Sequence, residues 1–232
     1  MLPSRQEPRR TDRSARHQAP SVPGRASVPR AEPREFVFPT GVQMAEGENY
    51  RQREGYDVTY LKDEETPRYQ YAVAVGADRA GELFVRLAGL LPGLACAILE
   101  IPAPEGDSED VCDVWMGEPV ERERLLTAFK AHRHLLVNDG MVGFGAVSAD
   151  GETELFIDEH KLIYLYVKNM EEADAALAEF GLTAQEVLRH YSELAHVHVS
   201  LSSGGAGESY WDAAEDLKKA LGLQWEESKE YS

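Results

Sequence analysis

Apolar positions in this chain fall into blocks whose spacing alternates between strand-like and helix-like, and they are concentrated after residue 55. Tyr69-Gln-Tyr-Ala-Val-Ala-Val75 is short and rich in Tyr and Val, which predicts a buried strand. Leu83, Phe84, Leu87, Leu90 and Leu91 then share one face at helical spacing, and Pro92-Gly93 stops that helix. Leu94–Ile101 reads as a second apolar strand, residues 102–110 as an acidic loop, and Val111–Met116 as a short strand. Glu118-Pro119 predicts the start of a long helix, with Val120, Leu125, Leu126, Phe129, Leu135 and Leu136 inward and Asn138-Asp-Gly140 at its end.

The second half carries the clearest architecture. Met141–Ser148, Thr153–Ile157 and Leu162–Val167 are three strand-like runs. Asp150-Gly151 predicts a type I′ hairpin turn between the first two, and Asp158-Glu-His-Lys161 a tight connection between the last two. Asn169 with Glu172 and Thr183 with Glu186 read as capping boxes opening two short helices separated by Gly181. His196–Leu201 alternates as a strand, Ser202–Gly207 is a Gly-rich loop, and Ser209–Leu221 is a last helix stopped by Gly222. The tail from Trp225 to Ser232 reads as frayed. Hairpins mixed with helical crossovers predict an α+β fold: one mixed, largely antiparallel sheet of about six to seven strands with about five helices packed on it.

Charge divides the chain where the hydrophobic pattern begins. Residues 1–43 hold eight Arg, four acidic residues and seven of the twelve Pro; residues 44–232 hold 16 Lys and Arg against 37 Asp and Glu. The whole carries a formal −17. Low hydrophobicity and high Pro content predict a disordered leader over 1–43, and the abrupt change at Met44 also fits a start-site artefact. Residues 44–232 are expected to form a single acidic domain, large enough to bury a core without staples.

Two cysteines, Cys96 and Cys112, imply no disulfide framework. The longest uncharged apolar stretch, Leu87–Leu99, is only thirteen residues long. It is too short for the roughly 20 residues of a membrane crossing. Arg9-Arg10 is followed by Thr-Asp-Arg and not by the apolar core of a secretory signal. A cytoplasmic protein of bacterial type is the expectation, with no membrane partner. The acidic surface predicts no nucleic-acid partner and favours a basic protein.

Among candidate chemistry, His196 and His198 stand out. Residues i and i+2 on a strand face the same way, so both imidazoles can converge on one metal ion. Asp158 and His160, at a predicted strand end, are the candidates to complete the set; a divalent metal is the one cofactor the sequence offers. The competing reading is two solvated or packed structural histidines. His198-Val-Ser200 resembles one half of the His-x-Ser/Thr pattern of 2H phosphoesterases, a family that uses two facing motifs; no second strand-borne copy is present. His132 and His134 sit about 200° apart on a helix and do not share a site. The Gly-rich Ser202–Glu208 lacks the Gly-Lys-Ser/Thr ending of a phosphate loop. On charge and size the leading expectation is a non-catalytic module that binds a basic partner, as small acidic immunity proteins do. The alternative is a metal-dependent enzyme centred on His196 and His198.

Overall fold

The computed structural model describes residues 34–48, 50–62, 67–103, 111–201 and 209–230. In chain order these form β1 (Val42–Met44), β2 (Gly55–Leu61), β3 (Arg68–Ala74), α1 (Ala77–Ala88), β4 (Leu94–Pro102), β5 (Val111–Met116), β6 (Val120–Glu121), α2 (Arg122–Ala131), α3 (Arg133–Asn138), β7 (Gly143–Ser148), β8 (Glu154–Ile157), β9 (Ile163–Val167), α4 (Met170–Glu179), β10 (His196–His198), α5 (Tyr210–Leu221) and β11 (Gln224–Glu230). Nine strands make one sheet in the order β11-β5-β4-β7-β8-β9-β3-β2, with β6 beside β4. The α+β class and the five helices agree with the sequence pattern. The sheet is larger than six to seven strands, and its strand pairings are antiparallel throughout.

The meander β7-β8-β9 sits mid-sheet, and its alternation sorts side chains onto two faces. Ile163, Leu165 and Val167 enter the main core with all five helices. Phe84 of α1 stacks on Phe129 of α2 at 4.3 Å between ring centroids, and Phe129 lies 5.8 Å from Phe144 of β7. Leu162 and Tyr164 face the other way, with Ala72 and Ala74 of β3. There they meet Phe36, Val42, Leu188 and Tyr191, a second cluster contributed by the start of the described chain and by the segment before β10.

Several sequence expectations change here, each for a tertiary reason. Met44 is not the start of ordered structure: it lies inside β1, and Phe36 and Val42 are buried. Residues 1–33 of the expected leader lie outside the described residues. The long helix from Pro119 begins later, because Val120 and Glu121 pair with Ala95 and Leu94. It also breaks at His132 (φ −110°, ψ 16°), which separates α2 from α3. The helix expected from Thr183 does not form. Gln185 N–H donates to Tyr56 O, Leu188 N–H to Asp57 Oδ2 and Tyr191 N–H to Gln52 Oε1, so this segment's backbone is committed to the chain around β2. Only a 3-10 turn, Tyr191–Glu193, remains. The supposedly frayed tail is β11, antiparallel to β5 up to Glu230. The acidic loop over 104–110, the Gly-rich loop over 202–208 and the last two residues lie outside the described residues.

Candidate metal site on the second face of the sheet

β10 stays out of the main sheet. Its strand partner is β1, with Val42 opposite His198 and Met44 opposite His196. That pairing turns both histidines toward the turn joining β8 and β9. The turn is Asp158-Glu159-His160-Lys161. Asp158 N–H donates to Leu162 O, Lys161 N–H to Asp158 O, and Leu162 N–H to Asp158 Oδ1. Lys161 takes a left-handed conformation (φ 60°), rare for a residue with a side chain. All four consecutive ionisable residues are buried, at 5, 3, 7 and 3% exposure. Hairpin tips are ordinarily solvated, so burying this run calls for a physical explanation.

The rings of His160, His196 and His198 lie 4.8–5.0 Å apart between centroids. Each presents a nitrogen within 4.8 Å of the others. His196 Nδ1 lies 2.7 Å from Leu194 O, and His198 Nδ1 is held against Gly140 O. A carbonyl can only accept, so both Nδ1 atoms must carry the proton. A neutral imidazole then has a bare Nε2. The two Nε2 atoms face each other at 2.9 Å, acceptor against acceptor. Such a pair needs a cation between or beside it, either a proton or a metal. Burial, followed by the neighbouring His160, lowers the His198 pKa and works against the proton.

His160 is oriented from behind. Its Nδ1 lies 3.1 Å from Glu159 Oε1 and 3.6 Å from Asp158 Oδ2, leaving Nε2 as its ligating atom. Burial disfavours its charged form, yet the two carboxylates outweigh burial and hold its pKa up at about 10 in the metal-free protein. Burial raises the Asp158 pKa; the imidazole beside Glu159 keeps that carboxyl low despite burial. Glu159 Oε1 is buried and lacks an aligned hydrogen-bond donor. Lys161 Nζ donates to Val142 O, and burial pushes its pKa down to about 8.

Of the four sequence candidates, the structure brings His160, His196 and His198 together. Asp158 sits on the Nδ1 side of His160 instead, with Glu159. Glu159, Lys161 and His190 were missed as members. The His190 ring lies against Tyr191, 4.0 Å between centroids and tilted by 36°, its pKa driven down to about 3 by burial and by His160 and His196. The signal available for the turn was its composition: four ionisable residues in a row between two uncharged runs, Leu155–Ile157 and Leu162–Val167. His132 and His134 do not join the cluster. A separate open groove between α2 and α5, bordered by Arg124, His132 and Lys219, shares no residue with it.

Comparison with family models, with curated proteins and with solved structures finds no match. The site is therefore read from its own geometry.

Proposed function

We propose that this protein is a metal-dependent enzyme that holds one divalent first-row transition ion at His160, His196 and His198. The observation that carries the reading is the facing pair of bare Nε2 atoms, each ring fixed by a backbone carbonyl on its other nitrogen. Metal-binding histidines are supported in just this way. Imidazole donors without thiolates suit zinc, iron, nickel or copper. Charge supports a divalent ion: with neutral imidazoles, buried Asp139, Asp158 and Glu159 against Lys161 leave a formal −2. Three protein ligands leave a coordination position open, which is the catalytic pattern; structural zinc sites are closed by four. An ion there polarises a bound oxygen or lowers the pKa of bound water. The chain's own contribution is to orient the three rings, with Glu159 and Asp158 holding His160 from its Nδ1 side.

Metal analysis of the purified full chain tests this. About one ion per chain is expected, lost in His196→Ala/His198→Ala while the circular dichroism stays unchanged. A chain that neither retains an ion nor melts at a higher temperature with added zinc, iron, nickel or copper would overturn it. An ion at 100 times its Kd would stabilise the fold by about 2.7 kcal/mol.

A second reading, capture of a basic protein, has support from β11. This edge strand exposes Trp225 with Glu226, Glu227 and Glu230, an acidic edge on a chain of net −17. Binding that weakens with salt and is lost in Glu226→Lys/Glu227→Lys would favour it.

A further inference from the structure

The segment before residue 45 touches the support of every histidine in the cluster. Val42 and Met44 pair directly with His198 and His196, and among the described residues β10 has no other strand partner. Just before them, three backbones meet. Gly41 N–H donates to Asn138 O at 2.6 Å, Val199 N–H to Gly41 O at 2.7 Å, and Gly140 N–H to Val199 O at 3.3 Å. A Cβ on Gly41 would fall 2.2 Å from Gly140 N, so the approach depends on glycine there. The carbonyl of that same Gly140 fixes the His198 ring. Further upstream, Phe36 and Phe38 pack on Tyr191 at 6.2 and 5.3 Å between centroids. The buried Tyr191 hydroxyl donates to the backbone oxygen of His160.

We infer that residues 36–44 are a positioning strap, which sets the Nδ1–H form and the direction of the His196 and His198 rings and braces His160 through Tyr191. This rests on reading the three histidines as a metal site. The main core keeps its own packing without the strap, because the five helices pack on the opposite face of the sheet; the strap meets that layer through Ala77 N–H to Val37 O and Gly41 N–H to Asn138 O. It is not dispensable for the site: without β1, β10 has no strand to register it. Removing the strap, by proteolysis or in a chain that begins at Ala45, would leave a folded sheet with scattered histidines.

Two readouts test this on the same three proteins: the full chain, a chain lacking residues 1–44, and full-length Gly41→Ala. The first is the imidazole tautomer of each histidine by nitrogen-15 NMR in metal-free protein. The second is cobalt(II) affinity from its visible absorption. In the full chain, His196 and His198 should be in the Nδ1–H form. In the truncated chain they should revert to the Nε2–H form that free histidine prefers, with cobalt binding lost while thermal unfolding remains cooperative. Gly41→Ala should keep the fold and weaken cobalt by about 10- to 100-fold, as losses of support around a ligand do. If the truncated chain fails to fold, Gly41→Ala decides. Unchanged tautomers and unchanged cobalt affinity in the folded variants would overturn the strap. A full chain that binds no cobalt, yet whose tautomers change on truncation, would overturn the metal reading and leave the strap standing.

Discussion

Two consecutive turns of one meander obey opposite rules. The turn between β7 and β8 is exposed at Ala149 and Asp150 and puts glycine, Gly151 (φ 72°), in the left-handed position. Asp150 Oδ1 accepts from Ser148 Oγ and from Glu152 N–H, and Lys168 pairs with Glu152 in solvent. The expected type I′ geometry is not adopted: only Gly151, and not Asp150, has positive φ, and Ser148 N–H reaches across to Thr153 O. The next turn, one short strand later, has a lysine in the left-handed position and four buried ionisable side chains. The first turn is what local chemistry prefers. The second is stable only because distant segments cover it, and such departures from local preference concentrate at sites of function.

The largest effect expected from this contrast is on the lysines. Lys161→Met would take away one of two cations near Asp158 and Glu159, the other being His160, and would leave Val142 O without its buried donor, at a cost of about 1–3 kcal/mol. Lys168→Met, at the exposed turn, removes a solvated pair and should stay within about 0.5 kcal/mol. Urea denaturation in chelator measures both. Equal small effects would mean that the buried turn is as solvated as its neighbour. A saturating divalent ion should restore part of the Lys161→Met loss, because it supplies the missing positive charge.

How the sequence misleads is visible in the same two turns. The meander was legible because alternation and a Gly-containing loop are local signals, and the convergence of His196 with His198 follows from strand periodicity alone. Burial of Asp158–Lys161 was not legible. It depends on residues 36–44 and 185–198, which are far away in sequence and lie over the turn only after folding. The segment from Thr183 carries a genuine capping-box pattern. Gln52, Tyr56 and Asp57 take its backbone hydrogen bonds and prevent the helix. The strand character of β11 was hidden because six of its seven side chains are exposed, so no apolar alternation marks it.

Backbone strain separates the turns by a smaller amount. Gly151→Ala forces a Cβ into the left-handed region and should cost about 1–2 kcal/mol. Lys161→Gly removes that same strain, so strain alone would make it stabilising. Because the ammonium is lost too, it should destabilise, by about 1–2 kcal/mol less than Lys161→Met. A stabilised Lys161→Gly protein would show that conformation, and not charge, dominates the buried turn.

The effect that most directly joins the turn to the metal reading is in the pH dependence. The exposed turn is silent near neutrality, since hydrogen bonds from Ser148 and Glu152 hold the Asp150 pKa below its ordinary 3.8. The buried site is not silent. Below about pH 6.5 the unfolded chain protonates His190 and His198 more readily than the folded one, whose pKa values are lowered, so metal-free stability should rise with pH up to that point. Above 6.5 the folded chain holds a proton on His160 that the unfolded chain has lost. Stability should therefore fall, by about 1.4 kcal/mol per pH unit at most for one proton. Near pH 8 Lys161 begins to titrate in the folded state while its unfolded counterpart, at 10.5, stays charged. Its opposite sign should flatten the curve between 8 and 10. A bound ion changes this, because it takes His160 Nε2 only after the proton leaves. With saturating zinc, stability should rise from pH 6 to 8, where the metal-free protein loses it between 6.5 and 8. Denaturation midpoints at half-unit pH steps, with and without the ion, would show the reversal. Parallel curves would mean that His160 keeps its proton and that no ion displaces it.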